Sequence, residues 1–146
     1  ENVECHSVYT AGEIYSQLGR RSFAAFVSGA GTGGTIMGVR RAVVERGSST
    51  QLVLVQPEED ASSHGIQGIN DGADFLAKPA LMDRIIKVST LEAKKRADSF
   101  AKSRGILIGI SAGANLLASE RFIEKYKPNG AVVTMLCDRG ERYLSQ

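Results

Sequence analysis

The sequence predicts an α/β fold in which a mainly parallel sheet is covered by helices on both faces. Two observations predict it: short apolar blocks alternate with segments of helical spacing, and a glycine-rich loop stands between a buried strand and the next helix. Strands that alternate with helices imply crossover connections, which join parallel strands. We expect all 146 residues to form a single domain with its own core.

The first predicted elements are a helix, a strand and a second helix. Thr10 and Glu13 have the spacing of a capping box, so a short helix should begin there and end at Gly19. A buried strand is expected over 23–27, and helical spacing follows the glycine-rich loop over 36–46. Together these segments form a strand, loop and helix unit.

The later elements repeat the alternation. Ser89 and Glu92 form a second capping box, which predicts a helix that runs to about residue 103 and ends at Gly105. A long polar connection over 57–79 interrupts the pattern, and connections of that length in compact domains are usually functional. The other expected elements are strands over 51–56, 84–88 and 131–136 and a helix over 114–126.

Composition and charge exclude several classes of protein. The formal net charge of +2 comes from nearly balanced acidic and basic residues, without the concentrated basic stripe that nucleic-acid binding requires. No run of about 18 apolar residues could span a bilayer. Because Cys5 and Cys137 stand near opposite ends of the chain, neither a metal site nor a disulfide framework is indicated, and a reducing, cytoplasmic setting is expected.

The glycine-rich segment after the first strand is the strongest candidate for a binding site. Gly31, Gly33 and Gly34 let backbone amides converge on an anion, and the helix that follows adds the positive end of its dipole. The hydroxyls of Thr32 and Thr35 can donate further hydrogen bonds to phosphate oxygens. We therefore expect a phosphate here; the alternative is a tight turn that needs glycine and binds nothing.

The same segment also satisfies the G-x-G-x-x-G pattern of dinucleotide-binding folds through Gly29, Gly31 and Gly34. Such a site prefers an acidic residue at the end of the second strand, where this chain has Gln56 and Pro57. An NAD-binding Rossmann domain stays an alternative at this point.

Four motifs follow one another along the chain: G-T-G-G-T at 31–35, G-I-Q-G-I at 65–69, G-I-S-A-G at 109–113 and C-D-R-G-E-R-Y-L-S at 137–145. Together they resemble the motifs of the cysteine synthase and cystathionine β-synthase family. Its members are fold-type II pyridoxal 5′-phosphate (PLP) enzymes, similar in fold to the tryptophan synthase β-subunit. An N-terminal segment is also similar to the family's H-Y-x-T-T-G-P-E-I, with Ala11 and Gly12 in place of the glycine and proline.

The subfamily stays open. The ending Cys137-Asp138-Arg139 resembles the B-type O-acetylserine sulfhydrylases, whereas the segment at 65–69 resembles the A-type enzymes and lacks the paired arginines of the B type. In either case the resemblance implies the C-terminal, cofactor-anchoring portion of a longer enzyme, which forms most of its larger domain.

The resemblance also implies a role for each motif. Residues 31–35 would hold the 5′-phosphate of PLP, and Ser111 would contact the pyridine nitrogen as a neutral hydroxyl, which leaves the cofactor a weaker electron sink. Cys137 would lie at the cofactor edge, either as an inert buried thiol or in a chemical role. The lip of the substrate cleft would be formed by Gln67, Gly68 and Ile69.

Several of these residues have a simpler structural interpretation. Ser111 could cap the helix that follows it, a role that is compatible with a cofactor contact. His64 invites a general-base role, but a lone histidine in a polar loop is more often solvated. The acidic run at 58–60 is expected to be a solvated face, and no set of metal ligands is indicated.

Members of this family bind PLP covalently through a lysine in an N-terminal S-x-K-x-R-type motif, and no lysine of this chain stands in such a motif. We therefore expect the catalytic lysine upstream of this segment, the lysines present here at the surface, and the isolated chain to be inactive. The alternative is a natural remnant that acts as an inert interaction module.

The activity that the resemblance implies is PLP-dependent β-replacement. An activated serine, O-acetylserine or O-phosphoserine, and sulfide or a related sulfur donor would give L-cysteine. Cystathionine β-synthase activity, which uses homocysteine, is the nearest alternative. A homodimer is expected from the family, and serine acetyltransferase is a possible partner.

Overall fold

The computed structural model of the protein describes residues 1–60, 65–66, 69 and 76–143, without the side chains of residues 142 and 143. The predicted α/β class is confirmed. The helices are α1 (Asn2–Cys5), α2 (Ala11–Leu18), α3 (Gly34–Glu45), α4 (Thr90–Arg104) and α5 (Ile110–Tyr126), and the strands are β1 (Phe23–Gly29), β2 (Gln51–Pro57), β3 (Arg84–Val88) and β4 (Ala131–Thr134). Short 3-10 helices occur at Pro79–Leu81 and Gly140–Tyr143.

The four described strands form one parallel sheet in the order β3-β2-β1-β4. β1 pairs with β2 up to Gly29 and Val55, and with β4 on its other side up to Val27 and Thr134. β1 thus has a strand from later in the chain on each side, β2 on one and β4 on the other. In open α/β sheets, ligands bind in the crevice at the carboxyl ends of such strands. The end of β1 is therefore the expected position of a site.

Both faces of the sheet are covered. Along β2, Leu52 and Leu54 belong to one hydrophobic core, and Val53 and Val55 belong to a second core on the opposite face, because successive side chains of a strand alternate. The first core is completed mainly by α3 and the second mainly by α4 and α5. Their contributing residues include Ile36, Val39, Ala42 and Val43 on the first face and Ala93, Ala114, Ala118 and Phe122 on the second.

The N-terminal helix begins earlier than the sequence predicts. α1, a π-helical stretch (His6–Thr10) and α2 follow one another without a break. Thr10 has helical dihedral angles, and its hydroxyl hydrogen-bonds the His6 ring at 2.8 Å instead of a helix-terminal amide. The predicted capping box of Thr10 and Glu13 is wrong, since the amides there already belong to a continuous helix. The helix end at Gly19 is confirmed by its φ of 59°.

The capping box before α4 is confirmed. The Ser89 side chain accepts a hydrogen bond from the Glu92 amide, and the Glu92 carboxylate accepts one from the Ser89 amide. The helix ends at Gly105, as predicted. β4 is shorter than expected and ends at Thr134. Within the described ranges, no helix has the length and apolar character needed to cross a membrane.

The start of α5 differs from the prediction. The helix begins at Ile110 with Gly109 as its N-cap residue, so Ser111 lies inside the first turn. The prediction that Ser111 caps this helix is wrong, because helix geometry already holds at its backbone. Its hydroxyl is therefore free to bond with groups outside the helix.

Candidate functional site

The glycine-rich loop between β1 and α3 encloses a small cavity. The cavity has a volume of about 200 Å³ and is lined by Asn2 and by the backbone-rich segment 29–36. The described lining residues carry no charged side chain. Gly33 is the N-cap residue of α3, and no side chain caps that helix end. The first amides of α3 therefore face the cavity region without a side-chain acceptor, as an anion-binding helix terminus requires.

Gly33 cannot be replaced without strain. Its φ of 90° lies in the left-handed region, and a Cβ built on it would lie 2.6 Å from the Ala77 amide nitrogen. Leu76, next to Ala77, donates its amide to the Thr32 carbonyl at 3.1 Å. The end of the long connection thus closes over the loop, and this closeness depends on the missing side chain.

The N-terminal helix supports the loop from the other side. The Asn2 side chain lies where a side chain on Gly34 would be. The His6 ring contacts the Thr35 hydroxyl through Nε2 at 3.2 Å and the Thr10 hydroxyl through Nδ1 at 2.8 Å. Thr35 is therefore oriented by a histidine rather than by solvent. Asn2 is a lining residue that the sequence analysis did not identify.

Asn115 connects the loop to the rest of the candidate site. Its side-chain oxygen accepts a hydrogen bond from the Gly29 amide at 2.8 Å, and its side-chain nitrogen donates to the Met135 carbonyl at 2.9 Å. The residue is only 2% exposed. Residues 111 and 115 stand four positions apart, which places them on one face of a helix. That spacing was the sequence signal that could have identified Asn115 as a site residue.

Ser111 and Cys137, two of the predicted cofactor-binding residues, lie together. Their Oγ and Sγ atoms are 3.3 Å apart. Ser111 is buried, whereas Cys137 is exposed, so a buried inert thiol is the wrong interpretation of Cys137. A third residue completes the group: the Ser111 hydroxyl donates to the Asp138 carboxylate at 3.1 Å. Asp138 was quoted in a motif but was not predicted as a site residue.

The predicted substrate-binding segment is described only in part. Gln67 and Gly68, together with His64, lie outside the described residues. Ile69 is buried, and its side chain occupies the space where a side chain on Gly29 would be. Ile69 therefore packs directly on the end of β1, where the glycine-rich loop begins.

The acidic run differs from the expected solvated face. Glu58 and Asp60 are exposed, but Glu59 is half-buried and accepts a hydrogen bond from the Thr90 amide at 2.7 Å. Thr90 in turn accepts a hydrogen bond from the Gly65 amide at 2.9 Å through its hydroxyl. The connection after β2 is thus attached to the first turn of α4.

Surface positions are confirmed for the lysines, all of which are exposed. None of them lines the cavity. In the described part of the chain, no group of three or more histidine, cysteine, aspartate or glutamate residues could hold a metal ion. Among the described residues, the candidate site therefore offers backbone amides, hydroxyls, the amide side chains of Asn2 and Asn115, the His6 ring, the Cys137 thiol and the Asp138 carboxylate.

Residues 1–138 match the family described as pyridoxal-phosphate dependent enzyme. The chain belongs to this family. Its cofactor is accordingly PLP, and the NAD-binding alternative is removed. The family assignment agrees with the site, because a glycine-rich loop lines a cavity at a helix N-terminus and a separate polar group lies around Ser111.

Within this PLP-dependent family, the chain is similar to cysteine synthases and to related enzymes. The chain is 40% identical to cysteine synthase B of Campylobacter jejuni over 156 residues, covering 99% of this chain and 50% of the relative. Among solved structures, O-acetyl serine sulfhydrylase isoform 3 from Entamoeba histolytica is 35% identical with a TM-score of 0.88, covering 99% of this chain and 45% of the other. An O-acetylserine dependent cystathionine beta-synthase from Helicobacter pylori is 29% identical with a TM-score of 0.86, covering 99% and 49%.

These relatives support the cysteine synthase resemblance found in the motifs. The fold is that of fold-type II PLP enzymes, as predicted. The chain spans about half the length of the curated relatives that it matches. The activity of the complete relatives is therefore not transferred to this chain by similarity alone.

The residues present fit PLP. The cavity at the start of α3 offers amides and two threonine hydroxyls to a phosphate, and the positions that must stay free of side chains are glycines. The Ser111 hydroxyl and the Cys137 thiol form a second polar group, joined to the loop through Asn115. One ligand with a phosphate at one end and a ring nitrogen at the other matches this division.

Proposed function

We propose that this chain provides the phosphate-binding and ring-binding portion of a PLP-dependent cysteine synthase. The observation that carries the proposal is the uncapped N-terminus of α3, which faces a glycine-lined cavity of about 200 Å³ at the end of the central strand. A phosphate group at this point would receive backbone amides and the positive end of the helix dipole.

The residues 31–35 hold the phosphate in this proposal. Thr32 is exposed at the cavity, so its hydroxyl can turn toward a phosphate oxygen. Thr35 has its hydroxyl fixed by the His6 ring and presents one defined orientation. Anchoring the phosphate fixes the distance from the loop at which the ring of the cofactor can lie.

Ser111 and Cys137 hold the ring end in this proposal. Ser111 contacts the pyridine nitrogen, and Cys137 lies at the ring edge. Asn115 keeps the two ends of the site at a constant separation, because its side chain bonds both the end of β1 and the segment after β4. Gln67, Gly68 and Ile69 form the lip that receives the substrate.

PLP supplies an electron sink that allows replacement of a group on the β-carbon of an amino acid. The proposed overall reaction converts O-acetylserine or O-phosphoserine and sulfide into L-cysteine, with release of acetate or phosphate. The lysine that removes and returns the α-proton lies outside this chain in the proposal. In support of it, every lysine here is exposed and none lines the cavity.

A second candidate is cystathionine β-synthase activity, with homocysteine as the nucleophile. It is favoured by the similarity to the Helicobacter pylori enzyme of that description. An inert remnant that acts as an interaction module is the alternative outside enzymes. A homodimer, a cytoplasmic setting and a serine acetyltransferase partner belong to the proposal on family grounds.

Titration with PLP tests the proposal, with pyridoxal, which lacks the phosphate, as the matched ligand. The absorption spectrum reports binding, and borohydride reduction followed by peptide mass mapping locates any lysine adduct. We expect PLP to bind without a reduced adduct, the Thr32→Val and Thr35→Val variants to weaken PLP binding about tenfold per lost hydrogen bond, and pyridoxal binding to be unaffected by either variant.

Two results would contradict the proposal. A stoichiometric adduct on one lysine of this chain would place the catalytic lysine within it. Equal affinity for PLP and pyridoxal would show that the glycine-rich loop does not bind phosphate.

A further inference from the structure

The cavity at the start of α3 has no charged side chain among its described lining residues, although a phosphate monoester carries about two negative charges near neutral pH. Neutral donors must then stabilise this charge. The segment 29–36 offers backbone amides and the hydroxyls of Thr32 and Thr35. Among the described lining residues, the carboxamide of Asn2 is the one side-chain donor that comes from a different part of the chain.

The Asn2 carboxamide lies against Gly34, the first residue of α3. A Cβ built on Gly34 would be 2.5 Å from the Asn2 Oδ1 and 3.0 Å from its Nδ2, so the whole carboxamide is close to the helix terminus. Within the described part of the chain, no residue forms a hydrogen bond with the Asn2 side chain. Its amide group is therefore available to a ligand at that terminus.

Two glycines on one face of α3 determine the position of Asn2. Gly34 and Gly38 stand four positions apart, and a Cβ on Gly38 would lie 2.5 Å from the His6 Cβ and 2.7 Å from the Val3 carbonyl oxygen. The N-terminal helix therefore packs directly on the backbone of α3. This packing holds Asn2 beside the cavity through the backbone and leaves its side chain unbonded.

We propose that Asn2 is a further phosphate ligand, which donates a hydrogen bond from its side-chain amide to the cofactor phosphate. The inference rests on the proposed function, in which residues 31–35 hold that phosphate. The donor is the Nδ2 group, and the bond is charge-assisted because its acceptor is an anion. Asn2 thus adds a donor from the N-terminal helix to those of the glycine-rich loop.

Aspartate at position 2 separates phosphate binding from packing. It has nearly the same shape as asparagine, but it lacks the donor and its charge repels the phosphate. The same carboxylate would lie beside the uncapped N-terminus of α3, where a negative charge is favourable. A residue with only a structural role would lose affinity and stability together. A phosphate ligand should lose affinity while the apoprotein keeps or gains stability.

Titration of the apoprotein of the complete gene product with PLP and with pyridoxal tests this. The ratio of the two affinities isolates the phosphate, because pyridoxal lacks it. We expect Asn2→Ala to lower this ratio about tenfold, through loss of one hydrogen bond to a charged group, and Asn2→Asp to lower it about a hundredfold. The affinity for pyridoxal should be unchanged in both variants.

Asn129→Asp is the matched control, because it makes the same chemical change at an exposed residue that does not line the cavity. It should leave the ratio of affinities unchanged. Urea denaturation of the apoproteins measures stability. The midpoint for Asn2→Asp should equal or exceed that of the unmodified protein.

The outcomes separate the two proposals. If the unmodified protein prefers PLP and both Asn2 variants keep its ratio of affinities, the role of Asn2 is overturned and the proposed function stays intact. A lower ratio in Asn2→Asp together with a lower urea midpoint would mean a structural role and also overturns the inference. Equal affinity of the unmodified protein for PLP and pyridoxal overturns both proposals.

Discussion

The side-chain oxygen of Asn115, on α5, accepts a hydrogen bond of 2.8 Å from the amide of Gly29, the last residue of β1. The amide group of the same side chain donates to Met135, which follows β4. One buried side chain therefore fixes the relative position of two neighbouring strand ends. Gly29 leads into the glycine-rich loop and Met135 leads to Cys137, so the two halves of the candidate site are joined at Asn115.

Replacing Asn115 with alanine should cost about 2–4 kcal/mol in the free energy of unfolding, because it leaves a buried donor and a buried acceptor without partners. Urea denaturation followed by circular dichroism measures this. Asn129→Ala is the matched control, since Asn129 is exposed, and should change stability by less than about 0.5 kcal/mol. Equal effects of the two substitutions would show that the Asn115 bonds contribute nothing specific.

Alanine at Gly33 should abolish PLP binding and destabilise the protein by more than the left-handed conformation alone explains. Gly47 provides the comparison, because it has a φ of 58° and open space around the added methyl group. Gly47→Ala should cost about 1–2 kcal/mol from backbone strain and leave PLP affinity unchanged. Gly33→Ala adds a clash with the Ala77 amide at the loop itself.

Equilibrium unfolding and PLP titration of both glycine variants check this prediction. The difference in unfolding free energy between them measures the clash with Ala77. Unchanged PLP affinity in Gly33→Ala would contradict the assignment of the phosphate site.

Removing the carboxylate of Glu59 should destabilise the first turn of α4. Glu59 accepts the Thr90 amide at the helix N-terminus, where a negative charge is favourable. Glu59→Gln should cost about 0.5–1 kcal/mol in the free energy of unfolding. The neighbouring exposed Glu58 is the control, and Glu58→Gln should have no measurable effect. No measurable effect of Glu59→Gln would restore the interpretation of this run as a solvated face.

The capping box at α4 predicts a component of acid sensitivity. Hydrogen bonds from the Ser89 side chain and backbone, together with Arg121, lower the pKa of Glu92 below its ordinary value. A carboxyl group whose pKa is lower in the folded state stabilises the protein fully above the unfolded pKa of about 4.3, and this contribution is lost as the pH falls through the folded pKa.

Glu92→Gln tests this pH dependence. Glutamine has the same length and can still accept a hydrogen bond from the Ser89 amide, but it does not titrate. The variant should therefore lose less stability than the unmodified protein as the pH falls below about 4.3. Chemical denaturation at a series of pH values measures the difference. Parallel pH profiles of the two proteins would refute the role of Glu92.

The fold was predictable where local sequence rules dominate. Ser89 and Glu92 form the capping box that their spacing indicates, and Gly19 and Gly105 end helices through left-handed or otherwise glycine-specific conformations. Thr10 and Glu13 have the same spacing as Ser89 and Glu92, but they form no capping box. The reason is that residues upstream of Thr10 already form a helix, so its neighbours have no free amides for it to cap.

The candidate site was predictable as motifs but not as a network. Glycine and threonine patterns indicate a phosphate loop because they report local backbone freedom. The hydrogen bonds of Ser111 with Asp138 and of Asn115 with Gly29 join residues 27 and 86 positions apart. No local pattern contains such distances, and they became visible only once the sheet placed the strand ends side by side.

The pairing of β1 with β4 can form only late in synthesis, because β4 is the last strand along the described chain. The Thr134 hydroxyl bonds the Val27 carbonyl, 107 residues earlier in the chain. On the ribosome, β1, α3 and β2 emerge early and can associate, while the other edge of β1 stays open until β4 follows. A nascent chain thus has its glycine-rich loop long before Ser111 and Cys137 are available. Until then, that exposed strand edge is a point at which chaperones or other nascent chains could pair.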